Sequence, residues 1–185
     1  MRVIYNEADF TGKASVLALG MFDGVHEAHQ ALIRRAVALA RQMSAQSVVC
    51  TFDRHPVSVL FPEKKVRMLL TTQQRLEKIQ ALGADWALVK PFTRELADMP
   101  AEDFLRSFVE GMRAKAVVAG FNYTFGKDAA GNVDMIRSLA GEMGYVPEIV
   151  EPVLDHGERV SSTLIRTLLE NGQEERAQRL MNLDV

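Results

Sequence analysis

The stretch Val16-Leu17-Ala18-Leu19-Gly20-Met21-Phe22-Asp23-Gly24-Val25-His26-Glu27-Ala28-His29 runs from an apolar tetrapeptide through two glycines to two imidazoles. Residues 16–19 are too few for a buried helix and suit a buried strand, and the glycines bracket a turn. From 31 to 43 the period changes. Leu32, Ile33, Ala36, Val37, Ala40 and Met43 fall on one side and Arg34, Arg35, Arg41 and Gln42 on the other, the pattern of an amphipathic helix. Strand, glycine turn and helix in this order form the first half of a βαβ unit.

The alternation recurs along the chain. Strands are predicted at 47–52, 86–89, 116–119 and 145–150. Helices are predicted at 72–82, 101–110, 133–143, 163–170 and 174–181, several bounded by Ser/Thr before them and Gly after. Asp155-His156-Gly157-Glu158 reads as a turn. The expected fold is α/β, a Rossmann-like, doubly wound parallel sheet of about five strands. Ligands in such sheets lie beyond the carboxyl ends of the strands. The unusual residues follow the first, second, fourth and fifth expected strands, so those four loops are expected to converge; segments 54–67 and 121–132 are long enough to be functional loops.

Composition narrows the class. With 185 residues, 48% hydrophobic and 25% charged, the chain suits one globular domain and excludes disorder. A net charge of -2 argues against a nucleic-acid backbone or an anionic membrane as partner, so any anion site is local. Cys50 is the single cysteine, which excludes an internal disulfide and fits a reducing compartment, the cytoplasm. No run approaches a membrane span.

Two constellations carry chemistry. Two imidazoles between a strand and a helix start suit an anion site, because helix N-termini present unpaired N–H groups; a single histidine there would equally serve as a cap. Val160-Ser161-Ser162-Thr163-Leu164-Ile165-Arg166 places three hydroxyls at a helix start and an arginine on its first turn. That is either an N-cap with a solvated arginine or a site for polyphosphate oxygens. Other motifs fail on spacing. The first loop lacks G-x-G-x-x-G, Gly126-Lys127-Asp128 lacks the P-loop hydroxyl, and His26 and His29 are three apart where a zinc helix needs four.

Together these segments resemble the nucleotidyltransferase superfamily with an HxGH signature near the N-terminus and an ISSTxxR-like signature near the C-terminus. The nearer likeness is to the adenylyltransferase (FAD synthetase) domain of bacterial bifunctional riboflavin kinase/FAD synthetases. Gly20 to His29 is similar to that family's G-N-F-D-G-V-H-x-G-H, and Thr51-Phe52-Asp53-Arg54-His55-Pro56 to its T-F-[DE]-P-x-P. Leu70-Thr71-Thr72 with Arg75-Leu76-Glu77 is similar to its L-T-x-x-x-R/K-L-E, and Gly120-Phe121-Asn122-Tyr123-Thr124-Phe125-Gly126 to its G-x-[DN]-F-x-F-G. The likeness covers almost the whole chain in order. It implies one adenylyltransferase domain over residues 1–185, with no riboflavin kinase barrel.

The resemblance implies transfer of the adenylyl group of ATP to FMN, giving FAD and pyrophosphate, with magnesium accompanying ATP and no protein metal ligands assigned. It implies His26, His29 and Arg166 as catalytic residues, Arg166 at the leaving pyrophosphate. Gly20, Phe22, Asp23, Gly24, Arg159, Ser162 and Thr163 are implied on the ATP side, and Phe52, His55, Pro56, Asn122, Tyr123 and Phe125 on the flavin side. Tyr123 and Phe125 read equally as core aromatics, and Asp23 as a turn cap. Four positions depart from the pattern: Met21 for asparagine, Ala28 for glycine, Arg54 for proline and Leu164 for a basic residue. These departures keep two alternatives open, a catalytically weak flavin- or nucleotide-binding module and a related transferase with another phosphate-ester acceptor.

Overall fold

The computed structural model describes residues 1–64 and 66–182. Its strands are β1 (Arg2–Ile4), β2 (Ser15–Leu19), β3 (Gln46–Phe52), β4 (Trp86–Lys90), β5 (Ala114–Gly120) and β6 (Val146–Val150). They form one parallel sheet in the order β1-β4-β3-β2-β5-β6. Five of them are the expected strands with slightly shifted ends. The additional strand, β1, lies at the edge; three residues with only Ile4 buried are too few for an alternation to register. Leu154–Asp155 (β7) and Glu158–Arg159 (β8) make a separate hairpin. His156 and Gly157 at its tip have φ of 50° and 81°, the backbone that a tight two-residue hairpin turn requires.

The helices are α1 (Glu27–Gln42), α2 (Pro56–Leu60), α3 (Thr72–Ala81), α4 (Arg94–Ala97), α5 (Ala101–Gly111), α6 (Val133–Met143), α7 (Ser162–Glu170) and α8 (Glu174–Met181). Alternation along β2 separates two cores. Val16 and Ala18 lie in a cluster with Ile33 and Ala36 of α1 and Ile79 of α3. Leu17 and Leu19 lie in another with Phe104, Leu105 and Phe108 of α5 and Ile136 of α6. Both faces are thus covered, which suits a parallel sheet. A third cluster, with Val160, Ile165, Leu168, Ala177 and Leu180, joins α7 to α8.

This order places the topological switch point between β2 and β5. The chain leaves β2 for β3 and β4 on one side, then returns to add β5 and β6 on the other. Leu19 is level with Ala119, so Gly20 and Gly120 lie side by side where loops diverge and a crevice opens.

Candidate functional site

The loop after β2 takes an uncommon path. Phe22, Gly24 and Val25 have φ of 52°, 86° and 42°, and for a β-branched valine that conformation is strained. The surroundings hold it. Phe22 and Val25 are fully buried, and Thr51 Oγ1 donates to the Met21 carbonyl at 2.7 Å. Asp23 accepts from the Leu69 N–H at 2.9 Å and from the Arg166 guanidinium. A Cβ on Gly24 would lie 2.9 Å from Leu69 Cδ1, so glycine is needed there for space as well as for φ.

The consequence is a helix that begins at Glu27, four residues before the apolar period starts at Ala31. His26 occupies the N-cap position without a side-chain capping bond, and His29 sits in the first turn. Their rings stack with centroids 3.7 Å apart and planes 16° apart, and Phe22 meets His29 edge-on at 5.2 Å. The Nδ1 atoms of both histidines are buried and have no hydrogen-bond partner. Burial lowers the His26 pKa to about 4. That of His29 falls well below its ordinary value, through burial first and then the nearby His26 and Arg75. Both imidazoles are therefore neutral near pH 7, each offering one N–H.

Two adjoining cavities meet at this pair, and His29, Leu32, Gly120 and Asn122 line both. The first, of about 860 Å³, is walled largely by apolar and aromatic groups, among them Met21, Phe52, Phe61, Phe92, Tyr123 and Phe125. The second, of about 670 Å³, is lined by His26, Arg159 and the start of α7 from Ser161 to Leu164, and also by Glu151 and by Glu158, whose carboxylate is paired with Arg176 at 2.8 Å. A helix start and a cation suit a polyanion. An apolar cavity with few polar groups suits a flat aromatic ligand.

The residues singled out in the sequence distribute as follows. Gly20, Phe22, Phe52, Pro56, Tyr123 and Phe125 line the first cavity, and Asn122 lines both. Phe125 also belongs to the core, and Tyr123 packs against it. His55 lines neither cavity; its Nδ1 accepts from the Val57 N–H at 3.2 Å and caps α2. Arg159, Ser162 and Thr163 line the second cavity. The Arg159 guanidinium lies 5.5 Å from the Phe121 ring centre, Ser162 Oγ donates to the Asp23 carbonyl at 2.8 Å, and Ser161 caps α7. Among the departures, Met21 lines the first cavity, Ala28 and Leu164 line the second, and Arg54 pairs with Asp53 at 2.9 Å on the surface.

Asp23, Gly24 and Arg166 line neither cavity. Arg166, expected at the pyrophosphate, pairs with Asp23 and donates to the Arg67 carbonyl at 3.2 Å. The physical reason is the carboxylate: Asp23 is 1% exposed, and a buried anion needs a cation and donors. Asp23 is thus a hub joining the β2 loop, the segment between α2 and α3 at Leu69, and α7. The loop after β4, which supplies Phe92 and Arg94 to the first cavity, is absent from the sequence reading. Its signal was the strand end before Pro91, since ligands gather at carboxyl ends.

Among the described residues no group of three or more His, Cys, Asp or Glu side chains is placed to hold a metal ion, and no helix is long and apolar enough to cross a membrane. Residues 10–164 match a family model described as FAD synthetase. The chain is 34% identical over 175 residues to the bifunctional riboflavin kinase/FMN adenylyltransferase of Listeria monocytogenes, covering 94% of this chain and 55% of that protein. It therefore spans about half the length of that relative. Among solved structures, one described as a macrolide-efflux protein of Streptococcus pneumoniae superposes with a TM-score of 0.85 at 31% identity, covering 97% of this chain and 60% of the other. A pantoate-β-alanine ligase of Francisella tularensis superposes with a TM-score of 0.60 at 13% identity over 100% of this chain and 80% of its own, a likeness of fold alone.

Proposed function

Because the chain belongs to the FAD synthetase family, we propose that it transfers the adenylyl group of ATP to FMN, giving FAD and pyrophosphate. The observation that carries this reading is the pair of adjoining cavities, one aromatic and one at a helix start, with His29 and Asn122 common to both. FMN would enter the first with its phosphate toward the shared wall. ATP would enter the second with its α-phosphate at the same wall. An FMN phosphate oxygen then attacks the α-phosphorus in line, the bond from the α-phosphorus to the bridging oxygen breaks, and pyrophosphate leaves with that electron pair. No covalent nucleophile from the protein is required; positioning and charge stabilisation are the protein's task.

His26 and His29 are neutral donors before ATP arrives. A triphosphate beside them favours their charged forms and raises their pKa values, so they bind phosphate oxygens most strongly as negative charge accumulates. The N–H groups at the start of α7, that of Ser162 among them, with Thr163 and Arg159, hold the leaving end, while the Ser162 hydroxyl stays on the Asp23 carbonyl. Asp23 and Arg166 fix the two loops against each other. Magnesium enters as the magnesium–ATP complex, where it neutralises phosphate charge. The buried Cys50 and the need for ATP and FMN fit a cytoplasmic enzyme.

Incubation with magnesium, ATP and either FMN or riboflavin, followed by chromatography, tests the reading. FAD from FMN and no FMN from riboflavin is the expected result. Absence of FAD with intact binding of FMN and ATP would replace the enzyme by a binding module.

A further inference from the structure

Arg75 lines neither cavity, yet it is among the largest fully buried side chains, at 1% exposure. From α3 it reaches the carboxyl ends of two strands. One terminal nitrogen donates to the Met21 carbonyl at 3.0 Å and to Thr51 Oγ1 at 2.9 Å. The other donates to the Phe52 carbonyl at 2.8 Å and to Thr72 Oγ1 at 3.0 Å. Thr51 Oγ1 closes one arm by donating to the same Met21 carbonyl at 2.7 Å. On the other arm Thr72 Oγ1 donates to the Asp53 carbonyl at 3.4 Å, and the Asp53 carboxylate accepts the Phe92 N–H at 2.9 Å. Met21, Phe52 and Phe92 come from the ends of β2, β3 and β4, and all three wall the aromatic cavity. The fork and its relay reach no residue that lines the second cavity alone.

For stability alone this is an expensive device. A guanidinium has been taken out of water, and its Nε is buried without a partner; well-packed apolar residues often do as well or better than buried charges. What a guanidinium supplies that an apolar side chain cannot is a rigid, planar fork with donors at fixed separation. We propose that Arg75 is a positioning residue for the flavin substrate, setting the spacing of Met21, Phe52 and Phe92 so that a flat ring system fits between them. This rests on the reading of the first cavity as the FMN site. Lysine does not replace it, because one ammonium cannot hold both arms in one plane.

The test measures FMN affinity by flavin fluorescence and magnesium–ATP affinity by calorimetry in the wild type, Arg75→Lys and Thr51→Val. Arg75→Lys is expected to weaken FMN about tenfold, by misplacing the cavity walls, and to leave ATP within about twofold. Thr51→Val removes the hydroxyl that bridges Arg75 and Met21, leaves their direct bond at 3.0 Å, and is expected to weaken FMN about threefold, with the fold intact. A folded Arg75→Lys protein with wild-type FMN affinity overturns the inference, as does equal weakening of both ligands. If Arg75→Lys does not fold, Thr51→Val decides, and unchanged FMN affinity in it counts against the inference. A wild-type protein that binds ATP but no FMN removes the reading of the cavity itself, a different failure from an unmoved variant.

Discussion

Replacing Arg166 with alanine distinguishes a phosphate ligand from a structural cation. The Asp23 side chain is 1% exposed and that of Arg166 24%, so the pair is largely shielded from water. Without the guanidinium, Asp23 keeps the Leu69 N–H at 2.9 Å and a long contact to the Leu70 N–H at 3.5 Å. Removing one member of a buried pair costs about 3–5 kcal/mol, and the retained amides place this site near the lower figure, at about 3 kcal/mol. In a chain of this size each kcal/mol lowers Tm by about 2–4 °C, so the expected fall is about 6–12 °C. ATP affinity should weaken only secondarily, as the Ser162 contact to the Asp23 carbonyl loosens. Thermal melts and urea titrations of Arg166→Ala, Asp23→Asn and the double variant provide the assay, with a coupling of about 2 kcal/mol expected between the two positions. An Arg166→Ala protein melting within about 2 °C of wild type but with ATP affinity lost would refute the structural assignment and return Arg166 to the polyphosphate.

Ala28→Gly removes a methyl group from the wall of the second cavity, so nucleotide binding or turnover should improve while helix stability falls by up to about 1 kcal/mol. Steady-state kinetics beside a thermal melt separates the two effects, and unchanged or poorer kinetics would show that the methyl is accommodated. The His26 pKa of about 4 makes the unfolded chain bind a proton that the folded chain refuses between about pH 6.5 and pH 4. Stability should therefore fall with pH through that window, by up to about 3 kcal/mol from this residue at its lower end. His29 acts with the same sign. Urea midpoints at neutral pH and at about pH 5 check this, and His26→Gln should flatten the dependence; a wild-type midpoint that does not move would show the imidazole to be accessible to protons.

Local order was readable in the residues themselves. The period change from β2 to α1, the Thr71 cap of α3 and the Gly144 stop of α6 are contacts within a few positions, and the sequence expresses them directly. With that came the parallel sheet, because strands that alternate with helices must cross over the sheet. The pairing of HxGH-like and ISSTxxR-like segments, and the grouping of Phe52 and Asn122 along the aromatic cavity, were also legible, since such sheets collect ligands at the carboxyl ends of their strands; Gly20 and Phe22, expected on the ATP side, line the aromatic cavity instead. Tertiary structure decided three other matters. It began α1 at Glu27, because a strained turn held by Thr51 and Asp23 outweighed the apolar period. It placed β1 at the sheet edge, where pairing with β4 rather than a pattern of its own makes three residues a strand. It also gave the buried Asp23 carboxylate its cation from Arg166, 143 positions away, and put Arg75 across the ends of two strands. Spacing cannot express such choices, because the desolvation cost that forces a buried charge to find a partner exists only once the chain has closed around it.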